Sequence, residues 1–301
     1  MSWITIALLS ASVSALVSIF DKTVLFRYAT TPKTLPLLIG LAQTSVGLVV
    51  LLAVRIPDEA TWSAAGWALL SGVLFGLSGL LLMRVLYTQE VSRTIPVTQT
   101  APIFAALIGL TFLDESLSAL QWTAILATVV GAALLSYRAG GGYGSVVRQR
   151  PFYLLMFGAL LMATANVGGK VALDDLPVLF THGLRMLSLG LVFLLANARR
   201  EPWQDIRGFV TNRSPALLFV GANELLIANT GLLLMLWALS LGPVALVTAL
   251  VGTRAMFVVV YSTGLALIWK GALGEETTAQ AITVKAASTA LIVGGVWAIA
   301  A

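Results

Sequence analysis

One pattern constrains this chain more than any other: a half-length unit that occurs twice and holds an odd number of apolar spans. Gly79-Leu-Leu-Leu-Met83 returns as Gly231-Leu-Leu-Leu-Met235, 152 residues on. Upstream, Gly40-Leu41 with Ser45, Gly47-Leu-Val49 and Leu51-Leu-Ala53 returns as Gly183-Leu184 with Ser188, Gly190-Leu-Val192 and Leu194-Leu-Ala196. Lys22-Thr-Val-Leu25 returns as Lys170-Val-Ala-Leu173. A Leu triplet in so Leu-rich a chain means little alone. Three collinear matches at offsets of 143 to 152 point to a duplicated half of about 150 residues.

The spans follow from apolar length. A helix needs about 20 mostly apolar residues to cross a bilayer. Windows of that kind fall at 2–20, 36–54, 64–87, 93–112, 118–137, 152–171, 177–197, 215–239, 243–269 and 281–300. Five precede the glycine-rich stretch Gly140-Gly-Gly-Tyr-Gly144 and five follow it. Residues 1–139 and 151–301 therefore read as two five-helix repeats joined by a linker at 140–150. Only 10% of the 301 residues are charged and 58% are hydrophobic, against roughly 25% charged in soluble domains. Too few charges exist to coat a water-facing surface, so lipid must cover most of it. Five spans per half make the second half enter the membrane the other way up. The expected fold is an all-α polytopic membrane protein with ten transmembrane helices in two inverted five-helix repeats. Such halves exchange conformations and open the centre to each side in turn.

Loop charges set an orientation. Twelve basic residues follow spans 1, 3, 5, 7 and 9: Lys22, Arg27, Lys33, Arg93, Arg138, Arg148, Arg150, Arg199, Arg200, Arg207, Arg213 and Lys270. Only Arg55 and Lys170 follow spans 2, 4, 6 and 8. The bias predicts a multi-pass protein of the plasma (inner) membrane with both termini outside. The first apolar run lacks a basic segment before it and reads as a retained helix.

Several chemistries are excluded. There is no cysteine and one histidine, His182. Thiol catalysis, disulfides and structural zinc need more. No GxxxxGK[ST] or GxGxxG motif is present, and His182 has no identifiable triad partners. The +5 net charge is spread over loops rather than gathered into a nucleic-acid surface. No catalytic residue, metal or cofactor is expected. The expected partners are the lipid bilayer and a small-molecule substrate, with the chain acting as a monomer or homodimer.

Polar groups at membrane depth carry the remaining information, because ionisable residues there are costly. Arg185 falls mid-span in span 7, Glu224 and Asn229 in span 8, and Arg254 in span 9. Asn166, Gln43 and Gln99 lie in spans 6, 2 and 4. Glu224 and Arg254 are positioned to neutralise each other, which reads equally as a site or as a tie between spans 8 and 9. Arg185 then needs another acceptor, a carbonyl or a substrate carboxylate. Asn166, Gln43 and Gln99 read equally as interhelical hydrogen bonds, each worth about 1 kcal/mol or less. Tyr87, Trp237 and Tyr261 are candidates for a stacking wall, with plain packing as the alternative. His182 reads as a packing histidine and Arg84 as a snorkelling one. Gly72-xxx-Gly76 permits close helix approach, and Pro96 and Pro102 free backbone carbonyls in span 4.

Longer segments carry a resemblance. Asn166-Val-Gly-Gly-Lys170, with Lys22 in the equivalent place, is similar to the end of a first-helix motif. Arg185 followed by an apolar run to Leu195 is similar to a second-helix motif, and Thr100-Ala-Pro-Ile-Phe104 to a proline-containing fourth helix. Leu113-Asp-Glu115 and Leu273-Gly-Glu275 resemble the Leu-Gly-Glu that closes that helix. Gly131 and Gly294-Gly295 match last-helix glycines. Together these resemble the drug/metabolite transporter superfamily, in particular its EamA-type members, over essentially the whole chain. The departures are Ala42 opposite Arg185, Thr253-Arg254-Ala255 where Pro102 would repeat, a longer interval to the second Leu-Gly-Glu, and termini predicted outside where many members keep them inside.

The resemblance implies a secondary transporter or exporter of small polar metabolites, amino acids as the family-level guess. It implies a central cavity lined by spans 1, 3, 4, 6, 8 and 9. Glu224 would be the proton-coupling or cation-binding carboxylate, with Arg254 and Arg185 setting the field or meeting an anion. Two alternatives stay open: multidrug efflux on the same fold, and an intramembrane enzyme acting on a lipid-linked substrate. The enzyme needs the acids Asp58-Glu59, Asp114-Glu115 and Asp174-Asp175 to converge. A passive scaffold or channel is a further reading and requires no gated cavity.

Overall fold

The computed structural model describes residues 2–27, 33–57, 60–86, 97–135, 150–268 and 279–300, and they are helical almost throughout. In the first half the helices are α1 (Trp3–Arg27), α2 (Thr34–Ala53), α3 (Trp62–Leu86), α4 (Ala101–Phe112) and α5 (Ala119–Leu135). The second half opens with α6 (Arg150–Ala172), α7 (Val178–Asn197) and α8 (Arg200–Thr211). One long span follows, built from α9 (Pro215–Gly221), a π-helical segment (Ala222–Ala228) and α10 (Asn229–Leu241). The last are α11 (Val244–Gly252), α12 (Arg254–Ile268) and α13 (Ala279–Ala300). Seven spans are long and apolar enough to cross a membrane, and three apolar helices are shorter, all among the described residues. Each of the ten expected windows overlaps one of these, seven of them a span of crossing length. The linker residues 140–149 and Leu273-Gly-Glu275 lie outside the described residues.

The bundle is held by helices that meet their own counterparts. α2 packs along α7, α5 along α13, and α4 against α11. The glycines show how close α2 and α7 come. A methyl group built on Gly47 would lie 2.9 Å from the Gly183 carbonyl oxygen, and one on Gly190 would lie 2.9 Å from the Gly40 carbonyl oxygen. Gly40 faces Leu194, and Gly183 faces Leu51. Adding 143 to one member of each contact and subtracting it from the other returns the partner contact. That is the signature of a self-complementary two-fold interface. Numbers rise along α2 as they fall along α7, so the two helices run antiparallel.

α5 and α13 repeat the arrangement. A methyl on Gly131 would meet Ile292 and the Ser288 carbonyl, and one on Gly295 would meet Thr128 and the Ala124 carbonyl. These contacts interchange at an offset of 164. In both pairs the glycines let backbones touch where lipid supplies no hydrophobic drive for helix association. Equivalent helices crossing antiparallel is what an inverted repeat requires. Gly72 and Gly76 similarly bring α3 against the Arg185 carbonyl and Val192 of α7.

Spans 4 and 9 are both broken, and at equivalent residues. Thr100 turns its hydroxyl onto the Val97 carbonyl (2.7 Å) before α4 starts, with Pro102 in the first turn of α4. Thr253 does the same to Leu250 (2.6 Å) between α11 and α12. Proline was expected to disrupt the fourth span from within. The break lies in the turn before Pro102, whose ring cannot donate to that turn, and it recurs at Thr253 without a proline, where a threonine hydroxyl bonded to its own turn competes with the helical ladder. The two breaks adjoin, since a methyl on Gly252 would lie 3.0 Å from Gln99 Oε1.

The basic loop after span 7 contains a helix that its loop reading did not anticipate. α8 buries Pro202 and Ile206, leaves Trp203 and Val210 exposed, and is pinned where Thr34 donates to Asp205.

Gly47→Val should overpack the α2–α7 crossing and cost about 1–3 kcal/mol or more. Gly66, in α3 with open space around it, is the control: Gly66→Ala should leave the thermal midpoint unchanged or slightly raised. Thermal unfolding of the purified variants checks both.

Candidate functional site

A belt of buried polar side chains crosses the centre of the bundle. Its first part surrounds Glu224. The carboxylate accepts from Asn223 Nδ2 (3.0 Å) and Gln43 Nε2 (3.3 Å). The Glu224 carbonyl accepts from Asn229 Nδ2 (2.6 Å) and again from Gln43 Nε2 (3.3 Å). His182 Nε2 donates to Asn229 Oδ1 (3.1 Å). Gln43, His182, Asn223, Glu224 and Asn229 are all buried.

The π-helical segment explains how one span supplies three of these groups. In an α-helix, residues five apart lie about 140° apart around the axis, so Glu224 and Asn229 would diverge. The wider π turn of Ala222–Ala228 brings them to one side, and the Asn229 amide reaches the Glu224 carbonyl. Single π turns inside α-helices recur at functional sites.

The second part begins one turn further along α7. Arg185 is 2% exposed. Its Nη2 donates to Asn166 Oδ1 (3.1 Å), and its guanidinium lies 4.7 Å over the Phe75 ring. Asn166 Nδ2 donates to Thr248 Oγ1 (3.3 Å), and Thr248 donates to the Val244 carbonyl (2.7 Å). The belt thus joins α2, α7 and the π segment at one end to α6, α7 and α11 at the other.

Of the ten candidates, Gln43, Glu224 and Asn229 meet in the first part of the belt, and Asn166 and Arg185 meet in the second. The structure separates the others. Gln99 is buried where the two broken spans meet. Tyr261 lies beside Phe257 and shares a short hydrogen bond with Ser12 of α1. Trp237 is 42% exposed on the outer face of α10. Arg254 is exposed at the start of α12, directly after the break at Thr253. Tyr87 lies outside the described residues. His182 joins the Glu224 part through Asn229, and its Nδ1 is buried without a hydrogen-bond partner.

Asn223 and Thr248 were missed. The signal for Asn223 was adjacency to Glu224, which helical periodicity argues against. A polar cluster at one end of the bundle was also missed. Glu115 accepts the Val244 backbone N–H with both oxygens (2.9 and 3.0 Å) and so caps α11. Lys170 Nζ donates to the Leu239 and Gly242 carbonyls (3.0 and 2.6 Å) and lies 3.7 Å from Glu115. Asp114 holds φ 50°, the left-handed turn that lets the chain fold back so that Glu115 reaches α11. Glu115 is thereby committed to a helix terminus, and Asp175 accepts from Thr61 (2.7 Å). Asp58 and Glu59 lie outside the described residues. Among the described residues no three acids or histidines gather within metal-binding reach.

Comparison with known proteins decides the family. The model of the EamA-like transporter family matches twice, over residues 1–137 and 150–300. The chain belongs to the EamA-like transporter family. It is also 29% identical over 142 residues to an uncharacterized transporter in the cobO 3′ region of Sinorhizobium sp.. That match covers 96% of the relative and 45% of this chain, so nearly all of the relative corresponds to less than half of this protein. A protein of known crystal structure superposes with a TM-score of 0.66 at 19% identity, covering 98% of this chain and 94% of that one. This likeness concerns the fold. The EamA-like chain is therefore a multi-pass membrane transporter.

Glu115→Ala would uncap α11 and leave Lys170 without its carboxylate. Loss of a helix cap and a charge-assisted bond should cost about 1–3 kcal/mol. Thermal unfolding of the purified variant measures it, and Glu115→Gln should restore part of the loss.

Proposed function

We propose that this EamA-like protein is a secondary transporter of small polar metabolites, amino acids or related compounds, working by alternating access. The observation that carries the reading is the meeting of two broken spans, at Thr100 and Thr253, where Gln99 adjoins Gly252 across the halves. Transporter sites form where discontinuous helices of two inverted repeats face one another. The buried polar belt runs beside that meeting point through Asn166 and Thr248.

Glu224 is the coupling group in this reading. It is buried, it sits on a π turn, and its carboxylate accepts from the Asn223 and Gln43 amides. A carboxylate in that setting binds a proton or small cation and exchanges it as the halves rearrange. In proteoliposomes loaded with candidate solutes, wild type should respond to an imposed proton gradient. Glu224→Gln should remove that response while leaving gradient-independent exchange in place. Gradient-driven transport at the wild-type rate by the variant takes Glu224 out of the mechanism.

The Lys/Arg bias of the loops supports a reading with both termini outside in the plasma (inner) membrane. The chain has no cysteine, so a single introduced thiol is a clean reporter. Ser2→Cys in intact cells should react with a membrane-impermeant maleimide. Labelling only after the membrane is permeabilised would reverse the orientation.

A further inference from the structure

We propose that the transported solute carries a carboxylate and that Arg185 is the cation that receives it. This deepens the transport reading above and rests on it. Arg185 is among the largest fully buried side chains in the protein. No carboxylate lies within 4 Å of it among the described residues. Its partners are a neutral amide, Asn166, and the face of Phe75. Its Nε has no hydrogen-bond partner at all. A buried guanidinium is expensive unless an anion neutralises it, and an amide and a ring face offset only part of that cost.

The open edge has the right chemistry. Guanidinium presents coplanar N–H groups that match the two oxygens of a carboxylate. Asn166 takes a proton from Nη2, and the Nε–H stays free. One turn earlier on α7, His182 Nδ1 is also buried without a partner, and so is Gln43 Oε1. Unused hydrogen-bonding capacity is therefore concentrated along one stretch of the belt. A free carboxylate at Arg185 with a polar or amino substituent reaching towards Gln43 and Glu224 would use it. Gly169 of α6 lies against the guanidinium, where a methyl on it would come 3.4 Å from Nη1.

The repeat separates this role from a scaffolding one. The counterpart of Arg185 in the first half is Ala42. The α2–α7 crossing is two-fold symmetric in its backbone contacts, yet the charge stands on one side only. The packing of these helices therefore does not call for a guanidinium.

The test uses the purified full-length protein. Its thermal midpoint is measured with L-amino acids and short dicarboxylates, each beside its amide, and with phosphate monoesters and neutral sugars. A solute that binds the native state raises the midpoint by mass action. At least one carboxylate should raise it and its amide should not. Arg185→Gln should lose that response and Arg185→Lys should keep a reduced one. Asn166→Asp places a carboxylate beside Arg185 from within. It should keep or raise the midpoint of the empty protein and lose the response to carboxylates. A purely structural Arg185 would let Asn166→Asp respond like wild type. That result overturns the proposal, as does equal stabilisation by amides, stabilisation by phosphate esters or sugars alone, or no response to any carboxylate. The same solutes are offered to proteoliposomes. Uptake confined to neutral or cationic solutes overturns the carboxylate assignment and leaves transport standing. Failure to take up any solute counts against the transport reading itself.

Discussion

The fold depends on backbone-to-backbone contact between helices that are each other's counterparts. In lipid, apolar side chains gain nothing by leaving one hydrocarbon surface for another, so association rests on close packing and hydrogen bonds. Gly40, Gly47, Gly183 and Gly190 give α2 and α7 that packing, and Gly131 and Gly295 give it to α5 and α13. Because each contact is repeated by the pseudo-two-fold, one local solution is used twice. Serines add direct ties: Ser10 donates to the Gly231 carbonyl, Ser71 to Ala165 and Ser78 to Gly158.

Against this symmetric frame the polar belt is one-sided. Asn166, His182, Arg185, Asn223, Glu224, Asn229 and Thr248 all belong to the second half, and Gln43 joins them from the first. Packing constrains both halves alike, whereas a site needs one set of chemical groups. The π segment illustrates the difference. It departs from the regular helix of its counterpart α3, and it does so where Glu224 and Asn229 need to face the same way.

The duplication and the spans were legible in the sequence because both leave strong local marks: repeated glycine-leucine motifs and long apolar runs. The buried polar residues were legible because few polar groups occur at membrane depth. What the sequence did not reveal was orientation about the helix axis. Arg254 and Glu224 both fall mid-span, yet Arg254 is exposed after a break in its span and Glu224 is buried on a π turn. Trp237 shares a helix with Asn229 and faces outward. Glu115 was visible as a loop acid, but its role as the cap of α11 depends on the left-handed Asp114 and on a helix 129 residues away.

The two glycine crossings have a mechanical meaning. They lie on separate flanks, since α2 and α7 pack with each other while α5 and α13 pack together elsewhere in the bundle. Backbones in such contact cannot slide past one another without a collision at the next side chain. The two seams therefore fix the register of the repeats against each other, one on each pair of counterpart helices.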